Sequence, residues 1–308
     1  MRSGGRHGGI GCPWGGPLRE EWAPSGRQDL QVLRIAIDGT GEGELVADAL
    51  WQLGAVAVAE RDRSIDAGFS TDDEENRARA ELERRLPAGT VERIDVDESQ
   101  WAEVLRSTFE ATAVRDVCVR PPWIAPVASA GFDVVIEPGA AFGTGNHPTT
   151  RLALEALLDH VEPGSHVLDI GTGTGVLAIV AARVGASRVE AVDIDAHALA
   201  VAQANVERNG VAGAVRVYGG GLDAIDDDFD VVVANLGGLL APVSMVDDLD
   251  RLARATVIVS GLLAPAQGGL PIDQLDEVFA HRGFSRAATN ERGGWVAAVW
   301  QRVDDRRR

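Results

Sequence analysis

From Phe132 onward, strand-like and helix-like stretches alternate without a break, and that alternation restricts the fold more than any single residue does. The short runs "DVVIEP", "HVLDI", "RVEAVDID", "AVRVY", "FDVVVANL" and "ATVIVSGLL" are built on apolar, mostly β-branched residues. Between them lie the helical patterns "RLALEALLDHV", "VLAIVAARVGA", "AHALAVAQANVERNG" and "APVSMVDDLDRLAR", and "IDQLDEVFAHRG" and a late strand "GGWVAAVW" follow. A strand covered on both faces has no polar side to show, and helices crossing between parallel strands supply the cover. The pattern predicts a doubly wound α/β domain over residues 131–308. Its first helix is expected to start through Asn146 and Pro148, a capping residue type and one that tolerates the first turn.

Ahead of it, residues 29–96 read as a smaller α+β unit. "VLRIAID" alternates with the two-residue period of a half-buried strand, and "EGELVADALWQLGA" puts Leu45, Val46, Ala49, Leu50 and Leu53 on one helical face before Gly54. "AVAVAE" is a further strand, "EENRARAELERRL" an exposed helix and "TVERIDV" a weaker strand. The unit carries no cluster of chemically useful side chains, which leaves a docking module and a structural extension both open. Residues 97–130 hold a short amphipathic helix and a Pro-rich passage, as a linker or hinge would. Residues 1–28, rich in Gly, Pro and Arg, read as a flexible extension or as residues upstream of the true start.

Composition removes several classes of chemistry. The chain contains no lysine, so all 29 basic residues are Arg. A phosphate-binding P-loop, Schiff-base chemistry and the Ser-x-x-Lys hydrolases are excluded together. The net charge of −18 opposes general affinity for nucleic-acid phosphates and suits a basic partner, or simply solubility. Cys12 and Cys118 lack metal-like spacing, so they read as incidental thiols. No stretch of eighteen uninterrupted apolar residues predicts a membrane span, and a cytoplasmic protein is the expectation.

Ligands of open α/β sheets collect beyond the carboxyl ends of the strands. Asp169-Ile-Gly171-Thr-Gly173-Thr-Gly175 follows the strand "HVLDI", where glycines let backbone approach a ligand and a helix N-terminus comes next. Asp193 closes the next strand, where an acid can accept both hydroxyls of a ribose; Asp195 reads as the cap of the following helix. The dinucleotide fingerprint would place a third glycine at position 176, which is Val176. The glycines instead run GxGxG behind an acid, suiting an ammonium and a sulfonium better than a pyrophosphate. S-adenosylmethionine therefore comes ahead of NAD as the expected cofactor. Asn235, at the end of "FDVVVANL", can orient a nucleophile through its amide, whereas the Pro-Pro-aromatic context of base-flipping methyltransferases is absent. The earlier loop "GAAFGTGNHPTT" is expected to fold over the same rim, with Phe142 and the Gly143–Gly145 backbone as a second wall and Thr150 reaching in from its helix. His147 reads as structural rather than as a general base.

In this order "EPGAAFGTGNHPTTRLALEAL", "VLDIGTGTGVLAI", "AVDIDAHALAVAQANVERNG", "VVVANL" and "SGLL" resemble the ribosomal protein L-eleven methyltransferases, over roughly residues 30 to 302. The resemblance implies a Rossmann-like methyltransferase domain preceded by a ferredoxin-like α+β domain that grips a ribosomal protein and swings about the linker. It implies transfer from S-adenosylmethionine to α-amine or Lys amines of a large-subunit ribosomal protein. Thr150, Gly171, Asp193 and Asn235 match the family's cofactor-site positions. Departures fall at Asn146, where Thr or His is usual, and at Gly237-Gly238. Methylation of another protein lysine, as on the electron-transfer flavoprotein beta subunit, and a non-catalytic cofactor-binding module are the alternatives.

Overall fold

The computed structural model describes residues 31–37, 43, 46, 47, 49, 50, 53–55, 57–61, 63–69, 71–87, 90–96, 109–127, 130–137, 141–236, 245–269 and 272–303. Residues 1–28, the helix expected just after residue 97, Gly237-Gly238 and the start of the helix expected at Ala241 lie outside them.

Strands β1 (Gln31–Ala36), β2 (Ala57–Arg61), β3 (Ser64–Phe69) and β4 (Val91–Ile94) form a four-stranded sheet in the order β2-β3-β1-β4. Residues 43, 46, 47, 49 and 50 are helical, and α1 (Asp72–Arg85) follows β3, its first turn capped by the Thr71 hydroxyl. Leu33, Ile35, Leu50, Ile65, Phe69, Ala78 and Leu82 make the core of this unit. Strand β3 was not anticipated, because "SIDAGF" carries an Asp and a Gly. Asp66 is nevertheless 1% exposed. Arg34 grips it through two hydrogen bonds of 2.7 Å and Arg61 adds one of 3.0 Å, so the buried charge is fully paired.

A second sheet has three strands, β5 (Thr112–Val114), β6 (Val117–Arg120) and β7 (Phe132–Val135), with β5 antiparallel and β7 parallel to β6. This corrects two expectations. Part of the stretch read as linker is strand, and "DVVIEP" joins this small sheet instead of the large one. Val119, Val134 and Ile136 bury against the main core, which explains why so short a strand set persists.

The main sheet is seven-stranded, in the order β10-β9-β8-β11-β12-β14-β13. Its strands are β8 (His166–Ile170), β9 (Arg188–Asp193), β10 (Val215–Gly219), β11 (Phe229–Asn235), β12 (Ala253–Leu263), β13 (Phe284–Arg292) and β14 (Trp295–Arg302). Helices α2 (Pro148–His160), α3 (Val176–Arg183), α4 (Ala196–Arg208), α5 (Val246–Leu252) and α6 (Ile272–Ala280) cross between strands. Alternate residues feed two cores: Val167, Val189, Val231 and Ile258 face α2 and α3, while Leu168, Val192, Val232 and Val257 face α5 and α6. Strand β14 runs against the other six, so the sheet is mixed rather than wholly parallel. Strand β13 was missed because it is a polar edge, with only Phe284 buried among its nine residues. Strand β12 begins at Ala253, where the helical pattern had been expected to run on to Arg254.

Candidate active site

The chain enters the main sheet at β8, moves out through β9 and β10, then returns to β11 on the other side of β8. The crevice of such a sheet opens where the order reverses, beyond the carboxyl ends of β8 and β11. Every sequence-predicted site residue is found at this rim.

The loop after β8 is built around Asp169, which is 0% exposed. Its Oδ2 accepts from the Thr172 hydroxyl at 2.7 Å and from the Ala178 amide at 3.2 Å, tying the strand end to the start of α3. Gly171 and Thr172 both donate to the Val192 carbonyl of β9. Gly173, at φ +54°, has no room for a side chain: a Cβ there would stand 2.3 Å from the Phe142 carbonyl oxygen. A Cβ on Gly171 would likewise meet Leu236 at 2.3 Å. Both have a positive φ, but only at Gly173 is the obstacle a backbone atom; the Leu236 methyl facing Gly171 can turn aside.

The clash at Gly173 shows how the two loops are joined. The Thr174 amide donates to the Phe142 carbonyl at 2.9 Å, and its hydroxyl donates to the Gly143 carbonyl at 2.5 Å. The loop from Ala141 to His147 is thus a wall laid directly on the glycine motif. His147, not Asn146, caps α2: its Nδ1 accepts from the Thr149 amide at 3.4 Å and lies 2.8 Å from the Thr149 hydroxyl, with Pro148 in the first turn. The His147 ring sits edge-on between Phe142 and Trp295, at 5.2 and 5.3 Å between centroids, a structural placement. Asn146 instead reaches back to Thr112 at the start of β5.

Asp193 closes β9 with both carboxylate oxygens anchored, Oδ2 by the Gly173 amide and Oδ1 by the Asp195 amide, each at 3.0 Å. Each oxygen keeps a lone pair for an incoming hydroxyl. Asp195 caps α4 by accepting from the His197 amide at 2.8 Å. Ile194, between the two acids, is 92% exposed, the extreme among the described large apolar residues. Periodicity does not mark this residue; the signal for it is an isoleucine placed in a turn between two aspartates. Across the crevice the Asn235 amide donates to the Thr150 hydroxyl at 3.4 Å, and Ser260 holds the adjacent Thr149 carbonyl at 2.8 Å.

Two buried acceptors at this rim, Asp169 Oδ1 and Asn235 Oδ1, have no hydrogen-bond partner among the described residues. Burial pushes the Asp169 carboxyl up to about 7, against the lowering effect of its bonds from Thr172 and Ala178, and the neighbouring Asp193 charge adds to the rise. The lining of residues 141–147, 170–175 and 193–195 contains no Arg. A rim of acceptors and carboxylates without a cation fits a ligand bearing hydroxyls, an ammonium and a sulfonium, and does not fit a pyrophosphate.

Fold and site together define a Rossmann-like methyltransferase that uses S-adenosylmethionine. The profile of the ribosomal protein L11 methyltransferase family matches residues 34–303, and the chain belongs to that family. It is 40% identical over 215 residues to the ribosomal protein L11 methyltransferase of Pelotomaculum thermopropionicum, covering 68% of each chain. It is 38% identical over 252 residues to that of Heliobacterium modesticaldum, covering 79% of this chain and 76% of the relative. The crystal structure of a ribosomal protein L11 methylase from Lactobacillus delbrueckii subsp. bulgaricus superimposes with a TM-score of 0.56 at 28% identity, over 63% of this chain and all of that one.

Proposed function

We propose that this chain methylates amino groups of a large-subunit ribosomal protein, at the α-amine, at Lys side chains or at both, in the cytoplasm. The docking of the Phe142 loop onto the glycine motif carries the reading, because it brings Thr150 beside Asn235, which β11 ends on, at the rim that Asp193 borders. Family membership supports the substrate class, since the relatives at 40% and 38% identity are ribosomal protein L11 methyltransferases.

Asp193 would accept the ribose hydroxyls, and exposed Ile194 would give the adenine an apolar face. Gly171 and Gly173 would bring backbone against the cofactor, with Asp169 Oδ1, Thr150 and Phe142 around its amino-acid end. When bound, S-adenosylmethionine supplies a methyl group on a positively charged sulfur. The chain's own work is to hold an amine in line. Asn235 Oδ1 would accept an N–H of the incoming amine and so aim its lone pair. An α-amine near pKa 8 is already partly neutral at neutral pH, while a Lys near about 10.4 must be desolvated first. Positioning, not a strong protein base, is the demand the site meets. The unit over residues 29–96 would grip the ribosomal protein ahead of the catalytic domain.

Transfer of labelled methyl from S-adenosylmethionine to purified ribosomal protein L11 tests this directly. Incorporation is expected, and Asp193→Ala should weaken cofactor binding by at least about tenfold, the cost of losing charge-assisted bonds. No incorporation by well-folded enzyme would defeat the substrate reading.

A further inference from the structure

Helix α4 and its C-cap carry two asparagines that turn toward β7, Asn205 inside the helix and Asn209 at the cap. Asn is a poor residue for a helix interior, and burying its amide is costly unless every polar atom is bonded. Asn205 is 0% exposed. Its Oδ1 accepts from the Glu137 amide at 2.9 Å, while Nδ2 donates to the Glu137 carbonyl at 3.2 Å and to the Thr174 carbonyl at 3.0 Å. One turn later Asn209 repeats the first half of this pattern: Oδ1 accepts from the Val135 amide at 2.9 Å and Nδ2 donates to the Val135 carbonyl at 2.7 Å. The two side chains act as a substitute strand along the free edge of β7 and its exit. Arg208 adds an ion pair to the Glu137 carboxylate.

The two asparagines differ in one respect. Asn209 also bonds back to the Asn205 carbonyl of its own helix, whereas Asn205 spends its second N–H on Thr174, inside the glycine motif. Glu137 is where the chain leaves β7 for the Phe142 loop, and Thr174 is the residue that bonds Phe142 and Gly143. A single side-chain amide therefore holds the root of one loop and the middle of the other.

We propose that Asn205 is a positioning residue for the cofactor: it fixes the spacing between the two loops before any ligand arrives. This rests on the assignment of those loops to S-adenosylmethionine. Asn209 is the built-in control, anchoring the same strand edge without touching the glycine motif.

The test compares Asn205→Ala, Asn209→Ala and Asp193→Ala for thermal stability and for S-adenosylmethionine binding by calorimetry. Both Asn variants should lower the melting temperature. Only Asn205→Ala should also raise the Kd, by about tenfold, as expected when a bond that preorganises a site is lost. Equal Kd shifts for the two, or none for Asn205→Ala, would overturn the proposal. If Asn205→Ala does not fold, hydrogen exchange on the wild-type chain decides. Added S-adenosylmethionine should slow exchange of the Glu137 amide and leave that of Val135 unchanged; an unchanged Glu137 amide would overturn the proposal. Unaltered binding by Asp193→Ala would instead strike the assignment of the site itself.

Discussion

At the scale of single residues, Asp169 is where pH should be felt. Its carboxyl stands at about 7 in the folded chain against 3.8 as a free side chain, chiefly through burial. Between those values the folded state holds more protons than the unfolded one. The stabilising contribution is therefore complete below the lower value and is lost as pH rises through the upper one. The ligand-free chain should melt at a lower temperature at about pH 8 than at about pH 6, and Asp169→Asn should flatten that difference. Parallel melting curves for the two would remove Asp169 as its source. A cation seated beside Oδ1 would draw the titration back down, so cofactor binding near neutrality should release protons and give a heat that varies with the buffer. The places of Asp169, Asp193, Thr150 and Asn235 at the rim were legible in the sequence, because each stands at a strand end or a helix start that periodicity marks. Asn205, Asn209 and Ile194 were not. Both asparagines bond backbone atoms of β7 or its exit some seventy positions earlier, and the exposure of Ile194 follows from how the Asp193–Asp195 turn is presented.

At the scale of elements, the site depends on one loop lying on another, and Gly173 is where that contact is tightest. Gly173→Ala would force a Cβ against a backbone carbonyl that cannot step aside, in addition to the left-handed dihedral. A loss of about 1–3 kcal/mol in stability is expected, together with at least tenfold weaker cofactor binding. Gly164→Ala separates strain from contact: Gly164 also has a positive φ, of +93°, but a Cβ there meets nothing within 4 Å. That variant should lose stability alone, by denaturant melts and calorimetry, and equal affinity losses in both would refute the contact argument. The long apolar strands and the amphipathic helices between them could be read directly from their periodicity. Strands β3, β5, β6 and β13 could not, since each is short or polar and depends on its surroundings: Arg34 and Arg61 pair the buried Asp66 of β3, the main core holds β5 and β6, and β13 is the polar arm of a hairpin with β14. His147 took the capping role expected of Asn146 because its ring is backed by Trp295 from the far end of the chain.

At the scale of the whole molecule, the net charge of −18 with no lysine gives a field that attracts basic proteins. Raising salt from about 0.05 to about 0.3 M should lower kcat/KM toward a ribosomal protein several-fold while leaving the Kd for S-adenosylmethionine nearly constant. Similar salt dependence of the two would show that steering plays no part. The absence of lysine from this chain also means that no lysine of its own competes for the methyl group it transfers. The rings of Phe142, His147 and Trp295 add a constraint in time. Phe142 and Trp295 stand more than 150 positions apart, and the tryptophan opens the last strand. As the chain is synthesised, the loop emerges long before the ring that backs it. Until that ring is in place the His147 side of the loop lacks that backing, so ordering of the loop is expected to be a late step of folding.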